Sequence, residues 1–237
     1  MRGALAQARP QVVYHLASLV TARQEIDLVL PKLFNNLVGT VHLFLALAEI
    51  GCQQVVTTSS SEEPTDEVPT SPYAAAKAGA RFYAGLFQQT YGLPITVAKL
   101  FMAYGPRQRP DKLISYLVLS CLRGQSPQLS SGARVCDLVY VRDVVRGLLK
   151  IGLRPNLAGQ TIELGTGRGV SIREAALLAA ELSGSKVQPI FGAVADRMGE
   201  RPRVADLASL HALLDWTPQV CLEDGLRDTI EWYRATL

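Results

Sequence analysis

The stretch Ser71-Pro72-Tyr73-Ala74-Ala75-Ala76-Lys77 constrains this chain more than any other. Ser71 suits a helix N-cap and Pro72 the first helical position. Three alanines then favour helix. Tyr73 and Lys77 are four apart, so both project from one helix face, one turn apart. A tyrosine hydroxyl titrates near pH ~10, and a nearby ammonium favours the phenolate and lowers that value. The pair can therefore act as an acid/base near neutral pH. An ordinary surface helix can carry the same spacing. Context favours chemistry: the Ser/Thr-rich run Thr57–Ser61 lies upstream, and Tyr104-Gly105-Pro106 downstream.

Around this stretch, short apolar runs alternate with helical patterns. Val12–Ala17, Gln54–Ser59, Ile95–Phe101, Asp137–Val141 and Thr161–Gly165 read as strands, and 186–191 as one more. Such continuous runs suit strands buried on both faces of a parallel sheet. Helices are expected over 2–8, 31–50 (ended by Gly51), 72–91, 113–123, 142–152, 172–182 (capped by Ser171) and 222–234, with a further segment at 207–214. Alternation of this kind gives an α/β fold with a parallel sheet, whose ligands bind beyond the carboxyl ends of the strands. Ser60, Met102 and Gly165 sit near such ends.

Composition narrows the function classes. With 237 residues and 48% hydrophobic content, a substantial core can form. A net charge of +3, with no basic run interleaved with aromatics, argues against nucleic acid. Cys52, Cys121, Cys136 and Cys221 are scattered and read as reduced thiols of a cytoplasmic protein. His15, His42 and His211 have no metal-ligand spacing, so no metal is expected. No apolar run reaches the ~18 residues of a membrane helix, so no membrane partner is expected.

At this point the chain resembles an extended short-chain dehydrogenase/reductase of the NAD-dependent epimerase/dehydratase type, whose members modify nucleotide sugars. His15-Leu16-Ala17 resembles the end of the family's fourth strand, which lines the cofactor. Asn36-Leu37-Val38-Gly39-Thr40 matches Asn-x-x-Gly-Thr, Ser59-Ser60-Ser61 the strand end bearing the catalytic Ser/Thr, and Ser71 to Lys77 the pattern Ser-Pro-Tyr-x-x-x-Lys. Leu100-Phe101 with Tyr104-Gly105-Pro106, Asp137 to Asp143, Arg197 to Glu200 and Leu214 to Pro218 resemble later family motifs. The resemblance implies a partial Rossmann-like doubly wound parallel sheet with a smaller C-terminal substrate-binding lobe. The expected division is 1–106 and 138–170 for NAD(P), and 107–137 and 171–237 for substrate.

It also implies roles. Tyr73 is the general acid/base, Ser60 bonds the reacting oxygen, and Lys77 holds the nicotinamide ribose and tunes Tyr73. Glu62 parallels an added acid/base of some dehydratases and decarboxylases; a solvated loop carboxylate is the other reading. Leu16, Ala17, Ser18, Asn36, Thr58, Tyr73, Lys77 and Phe101 are implied for NAD or NADP. Ser60, Met102, Lys112, Leu113, Cys136 and Arg197 are implied for a nucleoside-diphosphate sugar. Hydride transfer at a sugar carbon, often C4, is the implied chemistry.

The chain departs from the family in places. No Gly-x-x-Gly-x-x-Gly opens it, so the first strands are expected to be missing and Val12–Ala17 to form a sheet edge. A truncated sequence is the favoured origin; a partner that supplies the strands, or a relative that no longer binds NAD, are the others. Met102 and Cys136 replace the usual Asn and Arg, and both suit apolar packing. Besides an epimerase or dehydratase, three readings stay open: a 4-ketoreductase, a non-sugar oxidoreductase, and a non-catalytic binding subunit. The wide apolar stripe over 31–50, with Leu33, Phe34, Leu37, Val41, Phe44, Leu45 and Leu47, predicts a homodimer.

Overall fold

The computed structural model describes residues 1–64, 68–199, 201–208 and 213–237. They fall into two compact units. Unit 1 comprises Met1–Leu100, Arg146–Leu164 and Ala208–Trp216; unit 2 comprises Phe101–Val145, Gly165–Leu207 and Thr217–Leu237. Seven strands occur among the described residues: β1 Val12–His15, β2 Gln54–Ser60, β3 Ile95–Leu100, β4 Met102–Tyr104, β5 Val135–Tyr140, β6 Thr161–Leu164 and β7 Gly169–Ser171. The helices used below are α1 Arg2–Ala8, α2 Val29–Lys32, α3 Gly39–Ile50, α4 Pro72–Tyr91, α5 Leu113–Leu122, α6 Val141–Gly152, α7 Ile172–Ser183 and α8 Leu222–Thr236.

Unit 1 is built on a parallel four-stranded sheet of order β1-β2-β3-β6. Every residue of β2 is buried, as a strand paired on both sides and covered on its faces should be. β1 stands at the edge of this sheet and ends early, with His15 opposite Thr57. α4 begins as its sequence dictates: Ser71 Oγ accepts from the Ala74 N–H at 3.2 Å and Pro72 follows. It ends at Gly92, in the left-handed conformation that glycine adopts without a Cβ penalty. Leu43, Phe44 and Leu47 of α3 and Ala84 and Phe87 of α4 pack against Val55, Ile95 and Val97 of the sheet.

The segment before α3 is less regular than a 31–50 helix. A 3₁₀ turn at Ile26–Leu28 leads into α2, and Leu33–Val38 is π-helical, so Gly39 N–H reaches back to Phe34 O. Pro31 has no N–H to donate, which breaks the ordinary ladder here. By length and apolar composition the stretch Ile26–Ile50 would suit a bilayer, contrary to the expectation above. It buries Lys32, Asn36 and Thr40 and packs against α4, while Ile26, Leu30 and Phe34 are exposed.

Unit 2 holds a small sheet of order β4-β5-β7, with β5 and β7 antiparallel. β4 and β7 were not expected as strands, because each has three residues and carries no turn-bounded apolar run. The expected strand at 186–191 does not form; Ile190 makes one isolated bridge to Gln128, and Pro189 beside it cannot donate to a ladder. The middle of the expected segment 207–214, residues 209–212, lies outside the described residues, as does Glu200. α7 is closed by a reciprocal cap in which Ser171 Oγ accepts from Glu174 N–H and Glu174 Oε2 accepts from Ser171 N–H. Buried Asp137 of β5 accepts from Thr166 N–H and Oγ, Gly167 N–H and Ala205 N–H, at 2.6–3.1 Å, and so ties the loop after β6 to unit 2.

α8 crosses the core of unit 2 at Gly225. A Cβ there would meet Tyr104 Cζ and Tyr140 Cδ2, each at 2.9 Å, and both rings are almost fully buried. Gly225→Ala gains up to about 1 kcal/mol of helix propensity but overpacks the core at a cost of about 1–3 kcal/mol. Its thermal midpoint is expected to fall by several degrees, measured by circular dichroism.

Candidate active site

Strand and helix repeats bring the site together in unit 1. Thr58 and Ser60 lie two apart on β2, about 7 Å along the strand and on one face. Tyr73 and Lys77 lie four apart on α4, about 6 Å along the helix. The two spacings mesh. The Ser60 side chain comes close enough to the Tyr73 hydroxyl to favour its ionised form. Lys77 Nζ donates to Thr58 O at 2.6 Å and to Thr58 Oγ1 at 3.2 Å. All four residues are buried.

Electrostatics departs from the sequence expectation. Tyr73 is not lowered but pushed up to about 12: burial dominates, Glu63 and Glu62 add to it, and the Ser60 side chain opposes it. Lys77 is drawn down to about 8 by burial, opposed by Glu63, so it keeps its proton at neutral pH. Its ammonium is turned to the Thr58 carbonyl, which explains why it does not dominate the phenol. At neutral pH Tyr73 therefore keeps its proton.

Two residues that the sequence did not single out complete the set. The Ser60 N–H lies beyond the end of β1 and finds no strand partner; the carboxylate of Glu63 accepts it at 2.9 Å. Arg81 Nε, one further turn along α4 from Lys77, donates to the other oxygen of Glu63 at 3.0 Å. Glu63 is 4% exposed, whereas Glu62 is only half-buried and gives its backbone N–H to Ser60 Oγ at 3.2 Å. The four-residue progression Tyr73, Lys77, Arg81 was the available signal.

The expected cofactor residues form a second cluster. Asn36 Oδ1 accepts from Leu19 N–H at 2.8 Å and from Ser18 Oγ at 3.2 Å, and its amide donates to Leu19 O. Lys32 Nζ donates to the same carbonyl at 2.8 Å and stands 6.0 Å from the Tyr73 ring centre. Asn36 thus fixes the loop after β1, in which Leu16 and Ala17 are exposed. Thr40 gives its hydroxyl proton to Asn36 O, so His15 Nε2 is the donor in their 2.8 Å bond. Phe101, Met102, Lys112, Leu113, Cys136 and Arg197 belong to unit 2. There Phe101 and Cys136 are buried, Met102 and Leu113 pack on the core, Lys112 stands just before α5 and Arg197 is exposed. Among the described residues no group of three His, Cys, Asp or Glu could hold a metal.

Residues 1–165 match the NAD dependent epimerase/dehydratase family. The chain belongs to that family. It is 31% identical to UDP-glucose 4-epimerase of Mycolicibacterium smegmatis, over 99% of this chain and 79% of that protein. It is also 31% identical to dTDP-glucose 4,6-dehydratase of Actinoplanes sp., over 96% and 75%. The UDP-glucuronic acid 4-epimerase of Bacillus cereus, solved with UDP-glucuronic acid and NAD, superposes with TM-score 0.90 at 26% identity, over 100% of this chain and 78% of that one. These likenesses fix a Rossmann-type α/β fold and an enzyme family.

His15 sets a stability test in this epimerase/dehydratase chain. Burial, then the charge of Lys77, hold it down to about 4 from an ordinary 6.5. The unfolded chain binds this proton from pH 6.5 downward while the folded chain does not, so stability falls as pH drops from 6.5 towards 4. Denaturant titrations at pH 7 and 5 are expected to show that loss, and a His15→Gln variant to show a smaller one.

Proposed function

We propose that this protein is an NAD-dependent enzyme that inverts or oxidises a hexose carbon, most simply C4, of a nucleoside-diphosphate sugar. The observation that carries the reading is the buried Ser60–Tyr73–Lys77–Thr58 arrangement at the carboxyl end of β2. A phenol and an ammonium one helical turn apart suit the hydroxyl-rich ribose and the reacting sugar oxygen. Lys77 and Tyr73 would hold the nicotinamide end, with the loop of Leu16, Ala17 and Ser18 and the side chains of Asn36, Thr58 and Phe101 as further candidates. The chemistry NAD supplies when bound is reversible acceptance of a hydride.

The chain's own residues move the proton. Tyr73 holds it on Oη at neutral pH and so can donate to a developing alkoxide; in the opposite direction the phenol must release and regain it. Ser60 Oγ orients the same oxygen. Lys77 keeps a positive charge beneath the site, which favours the phenolate whenever it forms. Lys112 and Arg197 are proposed ligands of the substrate diphosphate, beside Met102, Leu113 and Cys136. A dehydratase is the second reading, favoured by Glu62, whose backbone N–H bonds Ser60 Oγ and whose carboxylate is near enough to raise the Tyr73 pKa.

Calorimetric titration with NAD, followed by product analysis on UDP-glucose and UDP-glucuronate, tests the proposal. Micromolar binding and epimer formation are expected; a folded protein that binds no NAD would point to a binding subunit instead. Tyr73→Phe is expected to lower kcat by about 10²–10⁴-fold with KM little changed. A 4-keto-6-deoxy product, lost in Glu62→Gln, would assign the dehydratase.

We also propose a homodimer through α2, the π-helical segment Leu33–Val38, α3 and α4. Leu30, Phe34, Leu45, Phe82 and Leu86 on these elements are exposed, with Phe34 at 60% and Phe82 at 68%. Sedimentation at micromolar concentration is expected to give a dimer, and Phe34→Glu/Phe82→Glu a monomer.

A further inference from the structure

We infer that Glu63 is the positioning residue of this site: its carboxylate clamps the backbone of Ser60 to Arg81 of α4 and so holds the Ser60 hydroxyl against Tyr73. The inference rests on the reading of Ser60, Tyr73 and Lys77 as the reacting set. The end of β2 needs such a clamp. Along β2 the N–H groups of Val55 and Ser61 point to the β3 side, where Pro94 O and Leu100 O accept them. That of Gln54 points to the β1 side and is accepted by Gln11 O. Ser60 shares the phase of Gln54, but β1 has already stopped opposite Thr57. A strand end with an unmet donor frays, and here it carries a reacting hydroxyl.

Glu63 replaces the missing strand. One oxygen takes the Ser60 N–H, the other takes Arg81 Nε, and the Glu63 N–H returns to Ser60 O at 3.0 Å. The turn is therefore closed on itself and pinned to the helix that bears Tyr73. A charged acceptor makes both bonds stronger than a neutral one would. The carboxylate is nearly fully buried, so it is a fixed charge close to the site rather than a solvated one. It acts on both reacting groups in one direction, favouring the protonated forms of Tyr73 and Lys77. Other charged or titratable groups around the pair are His15 at the end of β1, Glu62 in the turn, Lys32 over the Tyr73 ring and Arg81 itself.

Glu63→Gln keeps the shape and removes the charge; Arg81→Lys keeps the charge and removes the guanidinium. Two readouts separate positioning from bulk stability. In single-turnover and steady-state assays with NAD and UDP-glucose, Glu63→Gln is expected to lower kcat about tenfold or more with KM nearly unchanged, and Arg81→Lys less. In NAD-free protein, the Lys77 ammonium is followed by side-chain NMR against pH, its signal identified with Lys77→Arg. Its midpoint is expected below the ordinary lysine range in the wild type, to move lower in Glu63→Gln and to stay in Arg81→Lys. A Glu63→Gln protein with kcat within twofold of wild type, or with an unmoved Lys77 midpoint, overturns the inference. Should wild type and Tyr73→Phe turn over equally, the functional reading fails, while the Lys77 titration still decides whether Glu63 holds this site.

Discussion

An ammonium buried under a strand is costly unless it is hydrogen-bonded, and Lys77 meets that condition on Thr58 alone among the bonds described above. The contact locks α4 to β2 in one register. A slip of one residue along the strand would turn Thr58 and Ser60 to the other face of the sheet. A slip along the helix would swing Tyr73 and Lys77 off the strand by about 100° per residue. Fold and site are thus the same constraint in unit 1: the pairing that satisfies a buried charge also sets the phenol on the serine.

Unit 2 solves a parallel problem with an anion. Asp137 is buried on β5 and collects donors from the loop after β6 and from Ala205. Glycine is required at 165, where a Cβ would stand 2.6 Å from Asp137 Oδ2 and 2.6 Å from the Ala205 Cβ. Asp143, also buried, takes the N–H groups of Gln219 and Val220 at 3.0 Å and seats the chain that leads into α8. Carboxylates rather than strands thus hold the irregular parts of this unit.

Much of this was legible in the sequence where local chemistry decides it. The Ser71 cap, the Ser171–Glu174 cap, Gly51 and Gly92 each mark an end that their residue types demand. That Ser60 and Tyr73 could come close was readable from the order of elements, since the Tyr73 helix follows the strand that ends at Ser60. What was not legible depended on where chains stop. Nothing in a run of serines followed by two glutamates says that the second turns inward; that follows from β1 ending three residues short of Ser60. Nor does Lys77 beside Tyr73 reveal that its charge is directed to a carbonyl, so the direction of the Tyr73 shift came out opposite. Strands of three residues, β4 and β7, leave no periodic signature at all.

The π-helical turn at Leu33–Val38 has a mechanical consequence. It holds one residue more than an α-helical turn would need, a spare unit of length stored in an otherwise continuous rod. Removing a single residue there would let the rod rewind into an unbroken α-helix. Everything before it would then turn by about 100° relative to α3. Lys32 would leave the Leu19 carbonyl, and the loop after β1 would lose one of its moorings, although neither Ser60 nor Tyr73 had been touched. In the descent of such a chain, a lost codon in this segment is therefore a rotation rather than a shortening.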